Sequence, residues 1–140
     1  MADVLSKQDV QDVLEVIKQL YLEDRIPWIC GYSGGKDSTA IVQLVWMALR
    51  QIPKEKRVKT VHVISTDTMV ESPVVAVWSS QSLKKMAEAA AAEDLPIIPH
   101  RLTPEIRNTY WVQVIGRGYP YPRQNFRWCT DRMKIAPANN

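Results

Sequence analysis

Apolar positions along this chain switch between two periods, and the switches mark its elements. Val10, Val13, Leu14, Ile17 and Tyr21 recur at helical spacing, which predicts an amphipathic helix over residues 7–24. Ahead of it, Ser6-Lys7-Gln8-Asp9 resembles a capping box with Asp in place of the usual Glu or Gln. Residues 27–32 read as a first strand. Ala40, Ile41, Leu44, Val45, Ala48 and Leu49 return to helical spacing from about Thr39, and Ile52-Pro53-Lys54 ends that helix. Val58 to Ser65 is a β-branched run and predicts a second strand. Ser72 and Pro73 supply an N-cap and a first-turn proline for a helix over residues 73–93. Pro96 to His100 gives a third strand, and Thr103-Pro104 starts a helix that reaches Ile115. From Gly116 onward the chain reads as a loop punctuated by Gly and Pro, with room for one short helix. There is no internal repeat and no low-complexity tract.

Strands alternating with helices imply βαβ crossovers, so the expected class is α/β with a parallel sheet and flanking helices. Ligands of such sheets bind beyond the carboxyl ends of the strands. That rule brings Ser33–Ser38, Asp67 and the 101–103 region to one edge.

Composition narrows the picture. A chain of 140 residues with 46% apolar and 24% charged side chains fits one domain with a core. No apolar run reaches the ~18 residues that span a membrane, and Met-Ala-Asp-Val-Leu-Ser-Lys lacks the order of a signal peptide. Two cysteines are too few for a disulfide framework, so the expected setting is cytoplasmic and reduced. The net charge of +3 hides an asymmetry. Residues 1–100 hold 11 basic and 13 acidic side chains, whereas residues 101–140 hold seven basic and two acidic. The same basic end carries Tyr110, Trp111, Tyr119, Tyr121, Phe126 and Trp128. Interleaved cations and rings suit either a nucleic-acid face or a substrate-phosphate pocket beside ordinary core aromatics.

The candidate chemistry starts with Ser33-Gly34-Gly35-Lys36-Asp37-Ser38, between the first strand and the helix after it. A glycine-rich turn there lets free N–H groups and the helix dipole face an anion. Lys36 adds a point charge, and Ser33 and Ser38 add hydroxyl donors. The spacing is neither G-x-x-x-x-G-K-[ST] nor G-x-G-x-x-G, which implies a different phosphate cut from that of ordinary ATPases. Asp37 either assists a metal ion or favours the helix dipole. Asp67 either caps a turn or accepts from a ribose hydroxyl or holds Mg²⁺. Arg117, Arg132 and Lys134 are phosphate ligands or solvated cations. Cys129, flanked by Arg127 and Arg132, is a thiolate that handles sulfur or a buried structural cysteine, and Cys30 is a core residue. His62 and His100 read as packing or surface residues, and the tryptophans as core, with Trp128 free to line the site.

Ser-Gly-Gly-Lys-Asp-Ser resembles the PP-loop of the ATP pyrophosphatase superfamily, whose members cleave ATP between the α and β phosphates and leave AMP on an acceptor oxygen. The stretch Asp67-Thr68-Met69 resembles the Asp-Thr-Gly segment of phosphoadenylyl sulfate (PAPS) reductases, with Met69 in place of glycine. The run from Gly116-Arg117-Gly118-Tyr119-Pro120 to Phe126-Arg127-Trp128-Cys129-Thr130-Asp131-Arg132-Met133-Lys134 is similar to that of the DNA phosphorothioation sulfurtransferases of the DndC and SspD type. The resemblance covers nearly the whole chain and implies an adenine nucleotide alpha-hydrolase-like (PP-loop) fold. The implied site is Ser33–Ser38, Asp67, Thr68 and Arg117 on ATP, with Lys36, Asp37, Arg132 and Lys134 in catalysis and Asp37 on Mg²⁺. By the same resemblance, Cys129 carries sulfur or joins a 4Fe–4S cluster completed by cysteines beyond Asn140, since the chain holds only two. DNA, a cysteine desulfurase and other modification proteins are the implied partners, in a defence-linked setting. Residues 1–140 are then expected to be one PP-loop domain at the N-terminal end of a longer protein. The rival expectations are a PAPS or adenylyl sulfate reductase and a non-catalytic ATP-binding regulatory subunit.

Overall fold

The computed structural model of the protein describes residues 6–139. Three strands, β1 (Trp28–Gly31), β2 (Val61–Thr66) and β3 (Ile97–Leu102), form a parallel sheet in the order β1-β2-β3. The register aligns Cys30 with Val63 and Pro99, and Gly31 with Ile64 and His100. Helices α1 (Lys7–Glu23), α2 (Lys36–Gln51) and α3 (Pro73–Ala92) flank it.

Local chemistry sets the helix starts. The backbone N–H of Ser6 donates to Asp9 at 2.7 Å and the Asp9 amide returns a bond to Ser6 Oγ at 3.1 Å, so the Asp variant of the capping box closes. Ser72 Oγ accepts from the Val75 amide, with Pro73 in the first turn of α3. The helix after the glycine-rich turn starts at Lys36, three residues before the spacing of its apolar positions begins.

One core joins Tyr21 of α1, Val42, Val45 and Leu49 of α2, Leu83 and Ala90 of α3, and Val61, Val63 and Ile97 of the sheet. The alternate sheet residues Ile29, His62, Ile64, Ile98 and His100 form the opposite face, where Ile29 is 69% and Ile98 46% exposed. On that face the rings of His62 and His100 meet, Nδ1 to Nε2, at 2.9 Å.

The loop before β2 contributes a side chain that its residue type does not advertise. Lys59 is fully buried, its Nζ 2.6 Å from Asp24 Oδ1 and over the rings of Tyr21 and Trp28. Tyr21 Oη donates to the Lys59 carbonyl and accepts the Lys59 amide. A buried cation is tolerable only when paired and bonded in this way. The arrangement ties the end of α1 to the entry of β2.

Residues 103–115 depart from the expected single helix. Thr109 is extended (ψ 152°) and its hydroxyl donates to Ile106 O at 2.7 Å, which closes a short 3₁₀ turn (Ile106–Asn108) and breaks the ladder. Beyond it Val112–Gly116 form a π-helical turn. The expected short terminal helix is present as a continuous helical segment over residues 128–138, with a π-helical turn at Asp131–Ile135. Trp128 is buried and Trp28 and Trp46 pack against the core, as expected for most of the tryptophans, while Trp78 and Trp111 are exposed.

Candidate functional site

The glycine-rich turn follows β1 directly, because Tyr32 still bonds to the sheet through its amide and Ile64 O (2.7 Å) before the chain leaves it. Gly34 then takes φ +76°, a left-handed conformation that glycine adopts without a steric penalty. Ser33 and Ser38 face each other across the turn at 3.2 Å, and the Ser33 amide donates to Ser38 Oγ. Ser38 Oγ and Thr39 Oγ1 both donate to Gly35 O. The first intrahelical bond of α2 runs from the Thr39 amide to Gly35 O at 3.0 Å. Gly35, the N-cap, brings no side chain, so the amides of Lys36, Asp37 and Ser38 carry no cap. Sixteen residues of helix stand behind them, and Lys36 and Asp37 are exposed in the first turn.

This turn borders a cleft of about 300 Å³ at the carboxyl ends of all three strands. Ser33 enters it from β1, Asp67 from β2 and Arg101 from β3, while α3 adds Ser79 and the terminal helical segment adds Lys134. The Asp67 amide bonds to Leu102 O at 2.8 Å, which holds the ends of β2 and β3 together. Asp67 is ion-paired with Arg101 and also accepts from the Met69 amide at 2.8 Å. The Arg101 hydrogen bond, helped by the Met69 amide, holds the Asp67 carboxyl below the usual carboxylate range. Asp67 therefore caps its turn and anchors Arg101 at once. Met69 sits at φ +61°, where the resembling Asp-Thr-Gly segment has glycine.

The expected site residues divide into groups. Ser33, Asp67 and Lys134 line the cleft, and Gly34, Gly35, Lys36, Asp37 and Ser38 form the turn and helix start beside it. Thr68 is buried beneath the loop rather than exposed to a ligand. Arg117 is exposed on its own turn and does not line the cleft. Arg132 lines a second cavity, described below. Cys129 is half-buried in the terminal helical segment, also outside the cleft, and Arg127 beside it donates to Gln124 O. Cys30 packs against the core, and burial pushes its thiol up.

Two participants carry no role in the sequence reading. Arg101 sits at the predicted edge, but a lone arginine after a strand has no motif. Trp78 reaches from α3 over Gly34, so closely that an added Cβ there would collide with its ring. That contact crosses 44 residues of chain and leaves no trace in local spacing.

Arrangement and chemistry fit an anionic ligand whose body has both polar and apolar faces. The free amides and Lys36 suit phosphate oxygens, and Asp37 is a free carboxylate of the kind that, with phosphates, holds Mg²⁺. Among the described residues no group of three or more His, Cys, Asp or Glu is placed to hold a metal by itself. Two separate free cysteines do not make a four-thiolate cluster site. No described helix is long and apolar enough to cross a membrane. The chain matches no family model, and no curated protein matches it. Fold and site together define a mixed α/β protein with a parallel sheet and, at its carboxyl edge, a cleft of mixed apolar and charged lining.

Proposed function

We propose that this chain is a PP-loop ATP pyrophosphatase that adenylates an acceptor oxygen, in the service of sulfur incorporation into the DNA backbone. The observation that carries the reading is the uncapped start of α2 behind the Ser33–Ser38 turn, opening beside a cleft lined from all three strands. The amides of Lys36, Asp37 and Ser38, with Lys36 Nζ and Ser33 Oγ, bind the β and γ phosphates that leave together. An acceptor oxygen attacks the α phosphorus, the α–β bridging bond breaks, and pyrophosphate departs with its charge held by the turn. Mg²⁺, when bound through Asp37, neutralises the phosphate oxygens. Arg101, positioned by Asp67, and Lys134 face the nucleotide from the far side of the cleft. The terminal sulfur of a persulfide donor, loaded by a cysteine desulfurase, then displaces AMP to form a P–S–S bond. A second donor thiol attacks the inner sulfur, releasing the phosphorothioate as the donor is oxidised to a disulfide.

The reading is tested by pyrophosphate release from Mg-ATP with DNA present, together with calorimetric binding of Mg-ATP against PAPS. ATP is expected to be preferred. A clear preference for PAPS moves the protein to the reductases, and ATP binding without turnover makes it a regulatory subunit. Lys36→Ala, at an exposed position, is expected to lower pyrophosphate release by about 10²-fold or more without unfolding the chain. Unchanged turnover in that variant sinks the assignment of the loop.

A further inference from the structure

Arg132 is a half-buried cation whose guanidinium meets no carboxylate among the described residues. Its Nη1 donates to Gln113 Oε1 at 2.8 Å and its Nη2 to Tyr119 Oη at 2.9 Å, and the guanidinium lies 4.7 Å from the Tyr119 ring centre. Both partner side chains are neutral. Gln113 is fully buried, and its own amide donates to Arg107 O at 2.7 Å, so the group that aims Arg132 is itself fixed. A guanidinium has five donors, and these contacts use two. A half-buried, rigidly held cation with spare donors and no carboxylate partner among the described residues is arranged for an anion from outside.

The place for that anion is a cavity of about 230 Å³ lined by Arg132, Arg107, Asn108, Thr103 and Glu105, with Ala136 and Pro137 as its wall. It offers two guanidiniums, a hydroxyl and an amide against one carboxylate, and Glu105 is already bonded to Arg107 Nε at 2.6 Å. An aromatic train leads away from it. Tyr119 packs on Trp128, Trp128 stacks on Tyr110, and Tyr110 touches both Trp111 and Tyr121, whose rings are exposed. A small free anion has no use for exposed rings beyond its seat, whereas a strand with unpaired bases does.

We infer that this cavity seats a backbone phosphodiester of single-stranded nucleic acid, with adjoining bases stacked on Trp111 and Tyr121. The inference deepens the proposed function, on which it rests for the statement that the seated strand is the acceptor. Binding itself needs no ATP. The test is fluorescence anisotropy of a labelled single strand of about 12 nucleotides on the full chain without nucleotide, across a salt series. Arg107→Ala is the first variant, because the Arg107 side chain is exposed and meets only Glu105. It is expected to weaken the strand about tenfold and to lower the slope of log K against log salt by about 0.7, while Mg-ATP affinity is kept. Trp111→Ala is expected to weaken the strand with the slope unchanged. Thr103→Val supplies a variant that removes no charge and should weaken binding less than Arg107→Ala. Wild-type affinity and slope in both Arg107→Ala and Thr103→Val overturn the seat, as does an equal loss of Mg-ATP affinity in Arg107→Ala. Strand binding with the expected slopes in a chain that releases no pyrophosphate supports the seat and overturns the adenylation reading.

Discussion

Replacing Gly34 by alanine separates two costs that the structure places at one atom. Gly34 has φ +76°, and an L-residue in the left-handed region costs about 1–2 kcal/mol. The added Cβ would also collide with Trp78 Cζ3 and lie 3.1 Å from Cη2. Trp78 is 48% exposed, so its ring can swing outward instead of forcing the backbone to move. Turning it off its rotamer costs about 0.5–1.5 kcal/mol. The expected loss for Gly34→Ala is therefore about 2–3 kcal/mol, from the two terms together. In a Trp78→Ala background the collision is absent and only the backbone cost remains, so the coupling between the two sites is about 1 kcal/mol. Urea unfolding of the wild type, both single variants and the double variant measures this cycle. A coupling of zero, with Gly34→Ala equally costly in both backgrounds, refutes the claim that the Trp78 ring lies against Gly34. Calorimetry on the same four proteins adds the functional half. Because the turn aims the amides of α2, Gly34→Ala is expected to weaken Mg-ATP about tenfold, and Trp78→Ala to restore part of that loss.

Two further outcomes follow from the loop after β2. Met69 is 57% exposed at φ +61°, so Met69→Gly relieves the left-handed strain while losing little packing. After the extra chain entropy of glycine the variant is expected to be more stable by about 0.5–1 kcal/mol, and a lowered urea midpoint contradicts this. Asp67 has its folded pKa depressed, so the stability of its pair with Arg101 is present above the unfolded carboxylate value, about 3.9, and fades as pH falls through the lower folded value. Arg101→Leu is expected to flatten the fall in melting temperature below about pH 4, and an unchanged acid limb means that other carboxylates set it.

The fold was legible where local chemistry decides and illegible where distant side chains do. Both helix caps, at Ser6 and Ser72, stand where residue type alone places them. The three strands follow from short apolar runs bounded by breakers, and their parallel pairing follows from the helices between them. Lys59 was illegible because a lysine is read as a surface residue, and only Tyr21, Asp24 and Trp28 arriving from another element make its burial possible. The run Val74, Val75, Val77 and Trp78 reads as core by type, yet all four are exposed, since α3 gives the sheet a different stripe. The break at Thr109 turned on one hydroxyl choosing the Ile106 carbonyl.

The terminal helical segment shows the same limit inside the site itself. In the sequence Arg132 and Lys134, two residues apart, both read as phosphate ligands. Residues two apart on a helix point to nearly opposite sides, whereas residues four apart share a side. Lys134 and Ala138 accordingly line the cleft beside the Ser33–Ser38 turn, and Arg132 and Ala136 line the cavity with Arg107. Met133 between them is buried and pins the segment to the body of the protein. The segment thus presents one cation to each of two cavities, so two cations that are near neighbours in the sequence do not share one site. Under the proposed adenylation, the nucleotide in the cleft and the acceptor strand in the second cavity would lie on opposite sides of this one helical segment.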